Sequence, residues 1–250
     1  MRGKNTVSVI DPPEALLHRP QPAGFAVTWP AVSYATPLYR RRAAVPPLAG
    51  WQSRAKRIID VAVALLTLAV HLPLLIPVAI AIKLDSPGPV MFCQRRIGLH
   101  GRTFELLKFR TMYHRPPERG GLRQTCPHDP RVTRIGALLR RTSFDELPQL
   151  WNVVRGDMSL VGPRPHAPGT CAAGLPFEAV DDRYELRHCI RPGMTGLAQV
   201  RGWRGQTDTE EKLRRRVDCD LEYIAHWSLW LDCAILTRTL LTIALMRNAY

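Results

Sequence analysis

Asp145 and Glu146 are neighbouring carboxylates set just after Arg140 and Arg141, in the segment TSFDELPQLWNVVRGDMSLVGPRP over residues 142–165. An ionised aspartate can act as a nucleophile on phosphorus and form an acyl phosphate. A glutamate one residue on points elsewhere around a helix and can hold a divalent cation. Mg²⁺ takes both carboxylate and phosphate oxygens and offsets diphosphate charge. Ser143 and Glu146 have capping-box spacing, but Pro148 would then be the fifth helical residue, where its missing N–H breaks a bond. With Asp145 as the cap, Pro148 falls at the third position, where no intrahelical donor is needed. That expected helix start sets Asp145 beside four free N–H groups and a positive dipole end, which favours the ionised carboxylate and attracts phosphate. The same residues also fit a plain helix cap.

Two turn motifs follow. Gly156-Asp157 and Gly162-Pro163-Arg164-Pro165 make rigid turns that fix an arginine, and Arg191-Pro192-Gly193-Met194-Thr195-Gly196 repeats the idea. Such turns form either anion nests or ordinary loops. Cys126 and His128 could supply one corner of a metal site, but no second pair matches them. The six cysteines include no C-x-x-C pair and read as reduced intracellular thiols.

These groups need an element to hold them at their substrate. Arg54, Lys56 and Arg57 lead into an apolar run over residues 58–82, which as straight helix would extend about 37 Å, enough to cross a bilayer. Within it stand Asp60, His71, Pro73 and Pro77, and each proline should bend the helix. Both flanks are basic, with Lys83, Arg95, Arg96 and Arg102 following, so the positive-inside tendency favours keeping both ends in the cytoplasm. A broken helix that dips in and returns meets that tendency better than a simple span; a buried core helix is the third reading. His71 is a candidate to satisfy backbone groups exposed at the bend. Asp60 lies three and four residues after Arg57 and Lys56, so an ion pair at the membrane edge is expected.

Around this segment, residues 1–50 hold eight of the 22 prolines and end in Arg40, Arg41 and Arg42, which reads as an extended arm suited to anionic lipid headgroups. The start lacks a long apolar core, so the amino terminus is expected to remain cytoplasmic. Residues 83–112 read as turn, strand, basic turn and strand; 113–130 as a loop; 132–141 as a short amphipathic helix; 147–154 as another. An irregular stretch runs to about residue 176, and 184–204 is basic and interrupted by glycine. Residues 207–225 read as a helix burying Val217, Leu221 and Ile224. The last helix, 228–247, carries Leu229, Leu236, Leu240 and Ile243 as a stripe beside Trp227 and Trp230. It either lies in the membrane interface or packs on the core. The organisation expected is an arm over 1–50, a re-entrant membrane helix over 51–85, and a small α/β-mixed cytoplasmic catalytic domain over 86–250 with interfacial amphipathic helices.

Composition points the same way. A formal charge of +14, carried mainly by arginine, requires an anionic partner. Nucleic acid is excluded as that partner: it leaves residues 58–82 unexplained, and no zinc finger, RNP-like strand or basic recognition helix is present.

The ordered motifs KRIIDVAVALL, IKLDSPGPVMFCQRRIG, FELLKFRTM, DPRVTRIGALLRRTSFDELPQLWNVVRGDMSLVGPRP, IRPGMTGLAQVRG and DLEYIAHWSLWLDCAILTRTL cover about residues 51–246. In them the chain closely resembles the bacterial polyprenyl-phosphate sugar-1-phosphate transferases, the small monotopic phosphoglycosyl transferases that prime exopolysaccharide, capsule or O-antigen synthesis. The resemblance implies that Asp145 attacks the sugar-bearing phosphate of a UDP-sugar and releases UMP. Undecaprenyl phosphate then takes the phosphosugar, giving undecaprenyl-diphosphate-sugar. It further implies Glu146 as the partner carboxylate for Mg²⁺, a helix break before Pro73, and Arg57 with Asp60 at the membrane edge. Lys108, Arg110, Arg140, Asp157, Arg164 and Arg191 are implied phosphate or nucleotide contacts, and downstream glycosyltransferases are possible partners. Two departures stand out: Leu72, after His71, occupies the position where many relatives have Ser, and Phe144 replaces Leu. The arm does not match the multi-span extension of larger relatives, so no additional transmembrane bundle is expected to be needed. A non-catalytic scaffold or regulator on the same fold is the rival reading.

Overall fold

A computed structural model describes residues 50–114, 126 and 129–245. The proline-rich arm over 1–50, with Arg40, Arg41 and Arg42, lies outside the described residues except for Gly50, as does His128. The six cysteines are free.

The apolar run is one helix, α1 (Trp51–Asp85), continuous across Pro73 and Pro77. Its period puts Lys56, Asp60, Ala64 and Ile82 on a buried stripe. Leu68, Leu75 and Val78 pack partly along the same line. The other faces leave Ile58, Leu66, Val70, Leu72, Ile76 and Ile80 exposed, with Leu84 the most open at 84%. Such a length of open apolar surface is intolerable in water and natural in lipid.

Both ends of α1 are fastened to the same folded domain. Near its start, the Lys56 ammonium donates to Asp232 Oδ2 at 2.6 Å and to the Val161 carbonyl at 3.2 Å. At its end the buried Arg110 guanidinium donates to the carbonyls of Ser86 (2.7 Å), Ile82 (3.2 Å) and Pro87, taking up backbone acceptors the helix leaves open. Asp85 accepts from the Ile135 N–H at 3.0 Å, so the carboxylate closing α1 serves the positive end of α2 (Arg134–Thr142).

The domain is a mixed α/β body. The two expected strands form an antiparallel hairpin, β1 (Met91–Ile97) and β2 (Thr103–Phe109), paired from Met91↔Phe109 to Ile97↔Thr103. Helix α3 (Gln149–Arg155) is tied to its edge by one side chain: Asn152 donates to the Glu105 carbonyl (2.7 Å) and accepts from the Leu107 N–H (3.0 Å). The stretch read as irregular contains β3 (Ser159–Val161), which pairs in parallel with β6 (Gly193–Thr195). It also holds the small hairpin of β4 (Cys171–Ala172) and β5 (Leu175–Pro176), followed by α4 (Phe177–Val180). Strands of two or three residues carry too little periodicity to show in sequence. The short α5 (Leu197–Val200) precedes α6 (Glu210–Ala225), which buries Val217, Leu221 and Ile224 as expected.

Helix α7 (Leu229–Ala244) has one buried and one open face. Leu231 and Ile235 are buried, and Leu229 and Leu236 pack partly against the core. Trp230 is 81% exposed, and Leu240, Leu241 and Ile243 are open. Its buried line therefore runs through 231 and 235 rather than along the expected stripe.

Candidate active site

Pro148 dictates the backbone around the carboxylate pair. Lacking an N–H, it cannot continue an i→i−4 ladder, and the chain instead turns in i→i+3 steps. Glu146 N–H donates to the Ser143 carbonyl, Leu147 to Phe144, Leu150 to Leu147 and Trp151 to Pro148, all at 3.0–3.2 Å. Asp145 thus sits inside a 3₁₀ turn, Phe144–Glu146, and α3 begins only at Gln149. The expected helix cap is corrected: Pro148 holds the cap position, and Asp145 lies a turn before it. Ser143, which precedes the turn, adopts the left-handed conformation at φ 59°, a strained choice for a side-chain-bearing residue.

The turn buries Asp145 and separates it from Glu146. Glu146 is engaged at both oxygens: Lys108 Nζ donates to Oε1 at 2.9 Å, and Arg164 donates to both carboxylate oxygens. The alternation of β2 delivers Lys108, since it shares the inward face with Phe104 and Leu106. Asp145 forms no ion pair among the described residues. Burial pushes its carboxyl up to about 6, and the Glu146 charge adds to this, while Lys108, Arg140 and Arg164 pull the other way at longer range. Desolvation therefore outweighs the favourable field expected at a helix start. For Glu146, burial also works against the charge, yet Arg164 and Lys108 hold it well below the usual carboxylate range.

The remaining expected residues divide. Arg140 borders the pair, with Nε donating to Thr111 Oγ1 at 2.8 Å. Arg110 does not approach it: the carbonyls at the end of α1 occupy its buried guanidinium, which makes it a helix-end clamp. Asp157 accepts from Asn152 (3.1 Å) and Arg155 (3.2 Å) in the turn after α3. Arg57 and Arg191 gather at the carbonyl end of α3, where Arg57 donates to Val153 (2.6 Å) and Val154 (2.9 Å), and Arg191 to Gly156 (3.0 Å).

Asp60 is paired with Lys56 (3.8 Å) rather than Arg57, and it is buried, accepting from Ser159 Oγ (2.7 Å) and the Leu160 N–H (3.3 Å). His71 does meet a backbone carbonyl, that of Thr67 at 2.8 Å, but Pro73 removes the bond to the carbonyl of Ala69, four residues before it. The glycine turns are not anion nests at their tips. The Gly162 N–H donates to Thr195 and the Gly193 N–H to Pro163, both at 2.9 Å. A Cβ on Gly193 would lie 2.1 Å from the Gly162 nitrogen, so glycine serves backbone contact there.

Two supports escaped the sequence reading. Arg187 donates to Asp220 (2.6 Å), to His166 Nδ1 (2.5 Å) and to the Arg164 carbonyl (2.8 Å), fixing the turn that presents Arg164. Asp232 gathers Lys56, Tyr223 (2.7 Å) and Trp227 (3.2 Å). The pairings that matter most, Arg187 with Asp220 and Asp232 with Lys56, span 33 and 176 residues and form no local pattern.

Mg²⁺ typically binds one or two carboxylates and completes its shell with substrate phosphate and water. Toward an ion shared in that way, Asp145 offers a carboxylate without an ion pair, and Glu146 Oε2, which accepts once, from Arg164, retains a second lone pair. Among the described residues no group of three or more His, Cys, Asp or Glu forms a self-contained cage.

A family model described as "Bacterial sugar transferase" matches residues 51–246. The chain is 51% identical over 204 residues to an "Undecaprenyl-phosphate glucose phosphotransferase" of Komagataeibacter xylinus, covering 82% of this chain and 38% of that protein. It is 51% identical over 195 residues to a "UDP-glucose:undecaprenyl-phosphate glucose-1-phosphate transferase" of Caulobacter vibrioides, with 78% and 72% covered. It is also 49% identical over 187 residues to "Exopolysaccharide production protein PSS" of Rhizobium leguminosarum bv. phaseoli, with 75% and 94% covered.

Proposed function

The chain belongs to the bacterial sugar transferase family, and from that premise we propose that it transfers a sugar 1-phosphate from a UDP-sugar to undecaprenyl phosphate through Asp145. The observation that carries the mechanism is a buried carboxylate without an ion pair beside one paired with both Lys108 and Arg164. An aspartate raised to about 6 is more basic than a surface one and still mostly ionised at neutral pH.

Asp145 Oδ attacks the sugar-bearing phosphorus, the anhydride P–O bond breaks, and UMP leaves with that bond's electrons. An oxygen of the lipid phosphate then attacks the same phosphorus and expels the Asp145 carboxylate, yielding polyprenyl-diphosphate-sugar. The sugar–oxygen bond is untouched, so no glycosidase-type acid is required. Lys108, Arg140 and Arg164 supply positive charge around the diphosphate, and Glu146 orients Lys108 and Arg164. Mg²⁺, held by Asp145 and Glu146, would offset further diphosphate charge when bound.

Rapid-quench mass spectrometry with UDP-sugars, UDP-glucose first, should find a hexose-phosphate adduct on Asp145 and lose it when lipid phosphate is added. Turnover without any such adduct refutes the covalent route.

The attachment of both ends of α1 to one domain supports a re-entrant, monotopic seat on the cytoplasmic face, since a straight crossing would carry one end across the bilayer. In a cysteine-free background, single cysteines at Gln52 and Leu84 should both resist a membrane-impermeant thiol reagent added to intact cells. Labelling of either from outside identifies a span.

A further inference from the structure

The carboxylate pair precedes α3, and a second cavity lies at the other end of that helix, against the start of α1. Ser53, Arg57 and Arg191 line it beside Lys56, Asp60 and Ser159. Two guanidiniums meet there. Arg57 donates to the Val153 and Val154 carbonyls, and Arg191 Nε donates to the Gly156 carbonyl. A Cβ on Gly156 would lie 3.4 Å from Arg57 Nη2. These seats use only part of each fork. Among the described residues, Arg57 Nε and the two terminal nitrogens of Arg191 make no hydrogen bond. Asp60, the one carboxylate on the cavity, is engaged by Lys56, Ser159 and the Leu160 N–H. Like charges are therefore held together with open donors, and an anion between them relieves the repulsion. Guanidinium forks fit phosphate oxygens in particular.

The surroundings narrow the ligand further. Trp51, two residues before Ser53, is 71% exposed, and Ile58, next to Arg57, is 68% exposed and opens the apolar run. Polar and apolar surface thus meet within two turns of α1, as they do at the edge of a bilayer, where tryptophan concentrates. A soluble anion answers the guanidiniums and leaves Ile58 uncovered. A phosphate carried on an apolar tail answers both. We infer that Ser53, Arg57 and Arg191 bind the phosphate of an anionic membrane phospholipid, outside the active site, with its acyl chains along the exposed face that begins at Ile58. A zwitterionic lipid fits less well, because its ammonium would enter a cluster that already holds Lys56, Arg57 and Arg191. The inference rests on the membrane seat of α1 and needs only its start at the bilayer surface, which a re-entrant helix and a span share. A lipid bound there ties the end of α3 to headgroup level and so sets the depth at which the carboxylates at its other end meet a lipid substrate.

The test is native mass spectrometry of the full chain in detergent, titrated with phosphatidylglycerol, with phosphatidylcholine of the same acyl chains, and with glycerol 1-phosphate. One phosphatidylglycerol should bind ahead of all others and ahead of phosphatidylcholine, and glycerol 1-phosphate should not displace it. Arg191→Gln should weaken that first lipid by about tenfold, the scale of one charge-assisted hydrogen bond. Ser53→Ala keeps every charge, should act in the same direction, and answers alone if the arginine variant fails to fold. Arg54→Gln removes an equal charge from an exposed position off the cavity and should leave the first lipid unchanged. An equal loss in Arg54→Gln shows diffuse attraction to the bilayer and overturns the site. Equal binding of the two lipids, or no loss in Arg191→Gln and Ser53→Ala, overturns it as well. Displacement by glycerol 1-phosphate identifies a site for soluble anions and overturns the lipid assignment. Lipid binding needs no turnover, so a protein that binds as expected but releases no UMP from any UDP-sugar sinks the transferase reading and leaves this site standing.

Discussion

Around Asp232, at the start of α7, the carboxylate has a partner at each oxygen: Tyr223 donates to Oδ1, and Lys56 and Trp227 donate to Oδ2. Asp60, across the same lysine, accepts from Ser159 and Leu160. Around Asp145 the arrangement is lopsided. Lys108 and Arg164 are both drawn to Glu146, and Asp145 keeps burial without a bonded counter-ion. Both clusters place two carboxylates beside a lysine. The saturated one joins α1, β3, α6 and α7 and has nothing left to offer a ligand. The lopsided one keeps an oxygen free to react. What separates architecture from chemistry in this molecule is the bonding that remains unspent.

That contrast can be broken by exchanging the roles. Asp145→Asn should lower UMP release by a factor on the order of 10⁴ or more, the usual loss of a covalent nucleophile, with thermal stability equal or higher because a buried charge is removed. Lys56→Met should do the opposite. Leaving Asp60 and Asp232 buried without their cation costs about 3–5 kcal/mol, read as a lower unfolding midpoint in detergent. If Lys56→Met keeps its stability and loses UMP release, the saturated cluster belongs to the active site and the distinction collapses.

The pH profile sharpens the same comparison. Asp145 must be ionised to attack, so single-turnover UMP release should rise about tenfold per pH unit below about 6 and level off above it. Stability moves the other way. The raised carboxyl keeps its proton longer in the folded state, so its contribution is fully present below about pH 4 and is lost as pH rises through about 6. Glu146, held low by Arg164 and Lys108, contributes stability at neutral pH that is lost only in acid, and it stays ionised across the rate profile. A release rate flat through this range removes Asp145 as the titrating nucleophile.

Part of this is legible in the sequence. The β1–β2 hairpin and the helix burying Val217, Leu221 and Ile224 rest on short-range spacing, and the structure builds both as expected. Less legible was where each arginine spends its donors. Arg110 and Arg164 look alike in sequence, but one reaches the carbonyls ending α1 and the other reaches Glu146. Such choices depend on which backbone acceptors tertiary packing leaves open. The cap at Asp145 failed for a local reason: two residues around the turn, Ser143 and Pro148, both oppose a regular helix start there. Lys56 looks in sequence like a membrane-edge charge because its partner lies 176 residues away, beyond any pattern in the chain.

The smallest effect concerns Arg57, which the resemblance placed at the membrane edge with Asp60. Its guanidinium closes the last turn of α3 through the Val153 and Val154 carbonyls, about two turns beyond the segment that carries the carboxylates. Cations at a helix carbonyl end typically contribute about 0.3–1 kcal/mol, and Gly156 at φ 96° already ends the helix by donating to Asn152 and Val153. Arg57→Gln should therefore cost about 1 kcal/mol or less in unfolding free energy and change UMP release by less than about threefold. Arg191, which donates to the Gly156 carbonyl, gives an internal control, because its loss should act on the same helix end to a similar degree. A tenfold or greater loss of UMP release in Arg57→Gln at unchanged stability would move this arginine from the helix end to the substrate. It would also place part of the donor site at the start of α1, on the side of the molecule that the saturated cluster otherwise closes.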